Sequence, residues 1–151
     1  MTKIEKSALV RFPANLMFGI VDDVESYPQF LPWCTGSRVL SRSGNVVDAE
    51  LEIARGGFHK SFATRNTSTA PQEIRITLLN GPFSHLEGVW TFTPLRMDAS
   101  KIALDLEFEM AGKIASLAFG SLFGQICNTM VGAFHDRAKE LYTYHHSEDA
   151  N

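Results

Sequence analysis

The chain has 151 residues, 21% of them charged, and a formal net charge of -3, which predicts one domain with a sizeable core. This balance argues against a broad basic face for phosphate backbones, so DNA is not an expected partner. Cys34 and Cys127 stand far apart with no CxxC or Cys/His spacing, which argues against a disulfide framework or a zinc site and predicts reduced, buried thiols. The opening MTKIEKSALV enters strand pattern without a basic region ahead of an apolar run. No export signal is expected, and the cytoplasm is the predicted location.

From Thr2 to Phe12, Ile4, Ala8, Val10 and Phe12 share one face at period 2, which predicts a first strand. Pro13 suits a helix start, and Leu16, Met17 and Ile20 predict a short helix over Ala14 to Val21. The segment YPQFLPWC, Tyr27 to Cys34, carries two prolines among large apolar residues and predicts a compact turn or a single helical turn. Five strand-like runs follow, Gly36 to Arg42, Val46 to Arg55, Phe58 to Asn66, Glu73 to Asn80 and His85 to Pro94, with separators of turn chemistry. From Lys101 to Met110 apolar and polar residues alternate, predicting a strand with one buried face. With the first strand these make a seven-stranded antiparallel meander.

After Gly112 the period becomes helical to about Tyr144, with Ile114, Leu117, Leu122, Ile126, Met130, Phe134 and Leu141 spaced by three to five. No formal charge falls between Ile114 and Phe134, and length alone would allow a membrane span. Gln125, Asn128 and Thr129 within the segment, and a sheet whose apolar face needs a cover, favour a helix laid on the sheet. The G120xxxG124 spacing then reads as close helix-to-sheet packing. A second apolar line, Phe119, Phe123 and Cys127, suggests a lid or docking surface. Residues 1–146 form the expected single domain and 147–151 a disordered tail.

The five histidines lack metal-ligand spacing, so no metal or cofactor is expected. His85 and Glu87 share a strand face and could act as an acid/base pair, but an exposed strand face is the favoured reading because Leu86, Trp90 and Phe92 take the other side. A curved sheet gripped by one helix encloses more volume than its side chains readily fill, which predicts an apolar cavity.

The strings YPQFLPWCTGSRVL, KSFATRN, GPFSHLEGVWTFTPL, LEFEM and LAFGSLF...MVGAFHDRAKELY closely resemble the family of the ribosome-association toxin RatA and the coenzyme Q-binding proteins. The resemblance covers nearly the whole chain. It implies an α+β, START-like helix-grip fold, a seven-stranded curved antiparallel sheet wrapped around a long C-terminal helix, with short helices after the first strand. It also implies two functions, holding an isoprenoid quinone such as ubiquinone in support of respiration, or binding the large ribosomal subunit and blocking subunit association.

Three readings follow. In the leading one the protein is not an enzyme and takes a ubiquinone-like molecule into a cavity lined by Trp90, Phe92, Leu104, Leu106, Leu117 and Ile126, with Tyr27, Phe30, Leu31 and Trp33 as a mobile rim and at most peripheral membrane contact. In the second, Arg38, Arg42, Lys60, Arg65, Arg137 and Lys139 meet ribosomal phosphates. In the third, ranked last, a polyketide cyclase-like enzyme uses His85, Glu87 or Tyr27 in the cavity.

Overall fold

A computed structural model describes residues 1–112 and 115–143, with side chains described for 1–112 and 118–142. Ile114, the Leu117 side chain and the expected 147–151 tail lie outside the described residues. The chain runs β1 (Thr2–Val10), α1 (Ala14–Asp22), a 3-10 helix (Val24–Gln29), β2 (Cys34–Ser43), β3 (Val46–Arg55), β4 (Phe58–Thr69), β5 (Glu73–Asn80), β6 (Phe83–Arg96), β7 (Ala99–Met110) and α2 (Ala115–Ala138), which ends in a π turn (Lys139–Thr143). Expected and observed boundaries agree to within a few residues. β4 and β6 run longer than expected because ladder pairing continues where side-chain alternation fades, as at Pro94 opposite Ser100.

All strands pair antiparallel in the order β1-β7-β6-β5-β4-β3-β2. The meander therefore holds for β2 to β7, whereas β1 joins the far edge against β7, with Ile4 opposite Leu106 and Val10 opposite Ser100. Between β1 and β2 the chain must cross from one edge of the sheet to the other, and α1 and the 3-10 helix are that crossing. Ser100, fully buried, fastens the corner by donating from Oγ to the Phe12 carbonyl at 2.8 Å. Register shifts occur in β2 between Cys34 and Gly36 and in β6 between Phe83 and His85. Such bulges bend a strand and increase its twist, which curves the sheet toward α2.

α2 packs on β1, β7 and α1. Its line of Phe119, Phe123 and Cys127 is buried, with the Phe123 ring 4.8 Å from Phe108 and 4.9 Å from Phe83. That line faces the sheet, which corrects the expectation of a lid or docking surface. A sheet rich in phenylalanine presents edge-on partners, and such ring pairs contribute about 0.5–1.5 kcal/mol beyond area burial. The two glycines lie on the same side: a Cβ on Gly120 would come within 3.0 Å of Met110 Cγ, and one on Gly124 within 3.8 Å of Phe108 Cζ. No described helix is long and apolar enough to cross a membrane.

Candidate functional site

Because α2 lies over the β1 and β7 side, the inner faces of β3, β4 and β5 receive less cover. A cavity of about 70 Å³ opens there, walled by the sheet, by α2 and by the 3-10 segment. Of the ten residues singled out from the sequence, six line it: Tyr27, Trp33, Trp90, Leu104, Leu106 and Ile126. Trp90, Leu104 and Leu106 reach it because alternation on β6 and β7 turns them inward, where Trp90 sits opposite Leu104. Ile126 and Met130, one turn apart on α2, close the other side.

Three of the ten stand elsewhere. Phe92 is buried but stacks near Trp90 and meets Phe18 edge-on at 5.6 Å, so it supports the wall from behind. Phe30 packs on Phe134 at 5.5 Å and lies under the Arg137 guanidinium, and Leu31 is buried in the turn that leads to β2. Leu117 falls where side chains are not described. The expected mobile rim is also differently built: Tyr27 and Trp33 are 6% and 4% exposed. The Tyr27 hydroxyl donates to the Val21 carbonyl. Prolines that forbid a long helix or strand keep the segment to a short 3-10 helix and a turn that can fold inward, and its large apolar residues make burial favourable.

Sequence reasoning missed the inward face of β4. Phe62, Thr64 and Asn66 fall at period 2 on one face of β4 and line the cavity, and the Thr64 hydroxyl donates to Asn66 Oδ1 at 2.9 Å. The available signal was a polar pair placed at period 2 behind a phenylalanine, on a face that must point inward.

The wall carries no charge. Burial pushes the Cys127 thiol up to about 12. Burial, then the nearby Asp22 carboxylate, raises the Tyr27 phenol far above its ordinary range. Burial likewise raises the Cys34 thiol, which donates to the Gly36 carbonyl at 3.3 Å. Both thiols are free and buried, as expected. A neutral, apolar enclosure with two adjoining polar side chains suits a greasy molecule that carries a small polar group.

His85 and Glu87 lie on the other face of β6 from Leu86 and Trp90, outside the cavity, so that pair of the cyclase-like reading is not placed in it, whereas Tyr27 lines it. His85 Nε2 is 3.0 Å from Glu107 Oε1 and 3.7 Å from Glu87 Oε2, and these three could hold a metal ion among the described residues. Spacing along the chain could not reveal the group, because Glu107 arrives from β7. Of the cationic candidates, Arg38 pairs with Glu50 at 3.1 Å and Arg65 with Asp48 at 2.9 Å. Arg137 bonds Gln29 at 2.7 Å and Glu140 at 3.1 Å. Lys139 stands 3.9 Å from Asp136, and Arg42 and Lys60 are exposed.

Comparisons with known proteins agree with this architecture. Residues 10–135 match the family model described as polyketide cyclase / dehydrase and lipid transport. Ribosome association toxin RatA of Pseudomonas aeruginosa is 48% identical, across 93% of this chain and 98% of its own. A mitochondrial coenzyme Q-binding protein homologue of Xenopus laevis is 30% identical across 91% of this chain and 58% of its own. A START superfamily protein from Mycobacterium smegmatis, 24% identical, superposes with a TM-score of 0.79 over 92% of this chain and 98% of that one. The chain belongs to the polyketide cyclase / dehydrase and lipid transport family and is similar over nearly its full length to proteins named RatA.

Proposed function

We propose that the protein binds an isoprenoid quinone or a closely similar apolar molecule between the inner sheet face and α2, in support of respiratory electron transfer. The observation that carries this reading is the neutral cavity walled by Trp33, Trp90, Leu104, Leu106 and Ile126. The family's lipid-transport description and the coenzyme Q-binding relative support it. At about 70 Å³ the cavity falls well below the roughly 300 Å³ at which ligand pockets begin. Entry must therefore displace side chains, and the half-buried Leu51, Ile76 and Met130 are placed to move. Methionine, unbranched and adaptable, repacks at little cost.

Native mass spectrometry of freshly purified protein, with organic extraction of what it carries, tests the reading. A co-purifying quinone is the expected result, with less of it on a Leu51→Trp variant that narrows the half-buried side. Equal quinone on a well-folded Leu51→Trp protein, or none on the unmodified protein after incubation with quinone vesicles, would overturn it.

A second reading, association with the large ribosomal subunit, is favoured by the near-full-length RatA identity. Here the ion pairs matter: Arg38, Arg65, Arg137 and Lys139 are matched by carboxylates, leaving Arg42 and Lys60, among the described residues, as the candidates without an ion pair. Few phosphate contacts give a shallow dependence of affinity on salt. Sedimentation with large subunits at two salt concentrations should show weak, mildly salt-sensitive association, and none at low salt would end this reading.

A further inference from the structure

We infer that the Asn66 carboxamide is the polar anchor of the cavity, set by Thr64 to donate a hydrogen bond to an acceptor oxygen on the ligand, and that the site therefore selects apolar molecules bearing a ketone or quinone carbonyl. This inference rests on the binding reading above and deepens it.

The cavity surface is almost wholly hydrocarbon, aromatic ring and thiol, so each polar atom on it weighs heavily. Buried or half-buried polar groups are found paired in the great majority of cases. The Tyr27 phenol gives its proton to the Val21 carbonyl and has none left for a guest. The Cys127 thiol is a weak donor. Thr64, 7% exposed, gives its single proton to Asn66 Oδ1 at 2.9 Å.

That bond has a consequence for the amide. A carboxamide has an acceptor end and a donor end, and here the acceptor end is occupied by the hydroxyl from two residues earlier on the same strand. The Nδ2 end, with two N–H groups, has no protein partner among the described residues. Asn66 is half-buried and lines the cavity alongside Ile76, its cross-strand partner on β5. A donor held in place by a buried hydroxyl, beside an apolar interior, complements a carbonyl oxygen. It does not complement a plain hydrocarbon, which would leave those N–H groups without a partner, or a carboxylate, which would bring charge into a neutral wall.

The test compares two probes of matched shape, a benzoquinone with a ten-carbon tail and the alkylbenzene with the same tail, by equilibrium partition into the full-length protein. The unmodified protein should favour the quinone by about tenfold, the worth of one well-formed hydrogen bond in such a setting. Asn66→Leu should erase the preference while keeping alkylbenzene binding, with Asn66→Ala used if the leucine variant does not fold. Thr64→Val, which keeps shape and loses the hydroxyl, should reduce the ratio of the two affinities without a matching loss of both. A merely structural role for Thr64 would weaken both probes alike. An undiminished quinone preference in the Asn66 variants would overturn the anchor while leaving the cavity reading standing. Failure of the unmodified protein to bind either probe would overturn both.

Discussion

A methyl group at Gly88 would run into Leu106 and come within 3.1 Å of the Asp105 carbonyl. Leu106, directly opposite on β7, leans over the bare backbone and forms part of the cavity floor. Gly88→Ala should therefore destabilise the fold by about 1–3 kcal/mol, the usual cost of overpacking, read as a lower urea midpoint with unchanged slope. The thiols make a second residue-scale prediction. With Cys127 buried and raised to about 12, alkylation near pH 8 should be slow in the native protein and prompt after denaturation, as followed by mass spectrometry. A third concerns acid. The Arg65 guanidinium, bonded at 2.9 and 3.0 Å, holds the Asp48 carboxyl below its ordinary range. A depressed carboxylate contributes stability that is present above the unfolded range and lost as the pH falls through the folded one. Asp48→Asn should thus weaken the loss of stability as the pH falls from about 5 to about 2, measured by urea unfolding at each pH.

At the scale of elements, the 3-10 segment depends on the end of α2. Phe134 meets Tyr27, Phe30 and Trp90 edge-on at 5.3, 5.5 and 5.2 Å, and Arg137 reaches over Phe30 to Gln29. Phe134→Ala should cost about 3–5 kcal/mol. Arg137→Ala should act more locally, speeding amide exchange over residues 24–29 with only a small change in global midpoint. The strands were legible because alternation is a local signal with a period of two, clearest at β7. The 3-10 segment was legible only as irregular: prolines announce what cannot form, whereas its inward turn depends on Phe134, more than a hundred residues later. Thr64 and Asn66 went unnoticed because polar side chains on a strand ordinarily mark the wet face, and only the partners on β3 and β5 show that this face is the inner one.

At the scale of the molecule, a curved sheet covered along one side by α2 leaves the β3 to β5 half to form a cavity. A ligand that binds only the folded chain raises its stability by about 2.7 kcal/mol at a hundredfold excess over Kd. Titration with the ten-carbon quinone should therefore raise the thermal midpoint progressively, and burial of apolar surface should give a negative heat-capacity change in calorimetry.

The sequence by itself determined the class of fold, the strand and helix types in order, and the neutral, apolar character of the interior, because periodicity and composition act locally and add along the chain. Only the tertiary structure decided that β1 closes on β7, that Phe119 and Phe123 face inward, that His85 and Glu87 stand outside with Glu107, and that the Asn66 amide adjoins the cavity. Each of these depends on contacts between segments far apart in the chain, where packing and the hand of the sheet choose among arrangements that the local pattern permits equally.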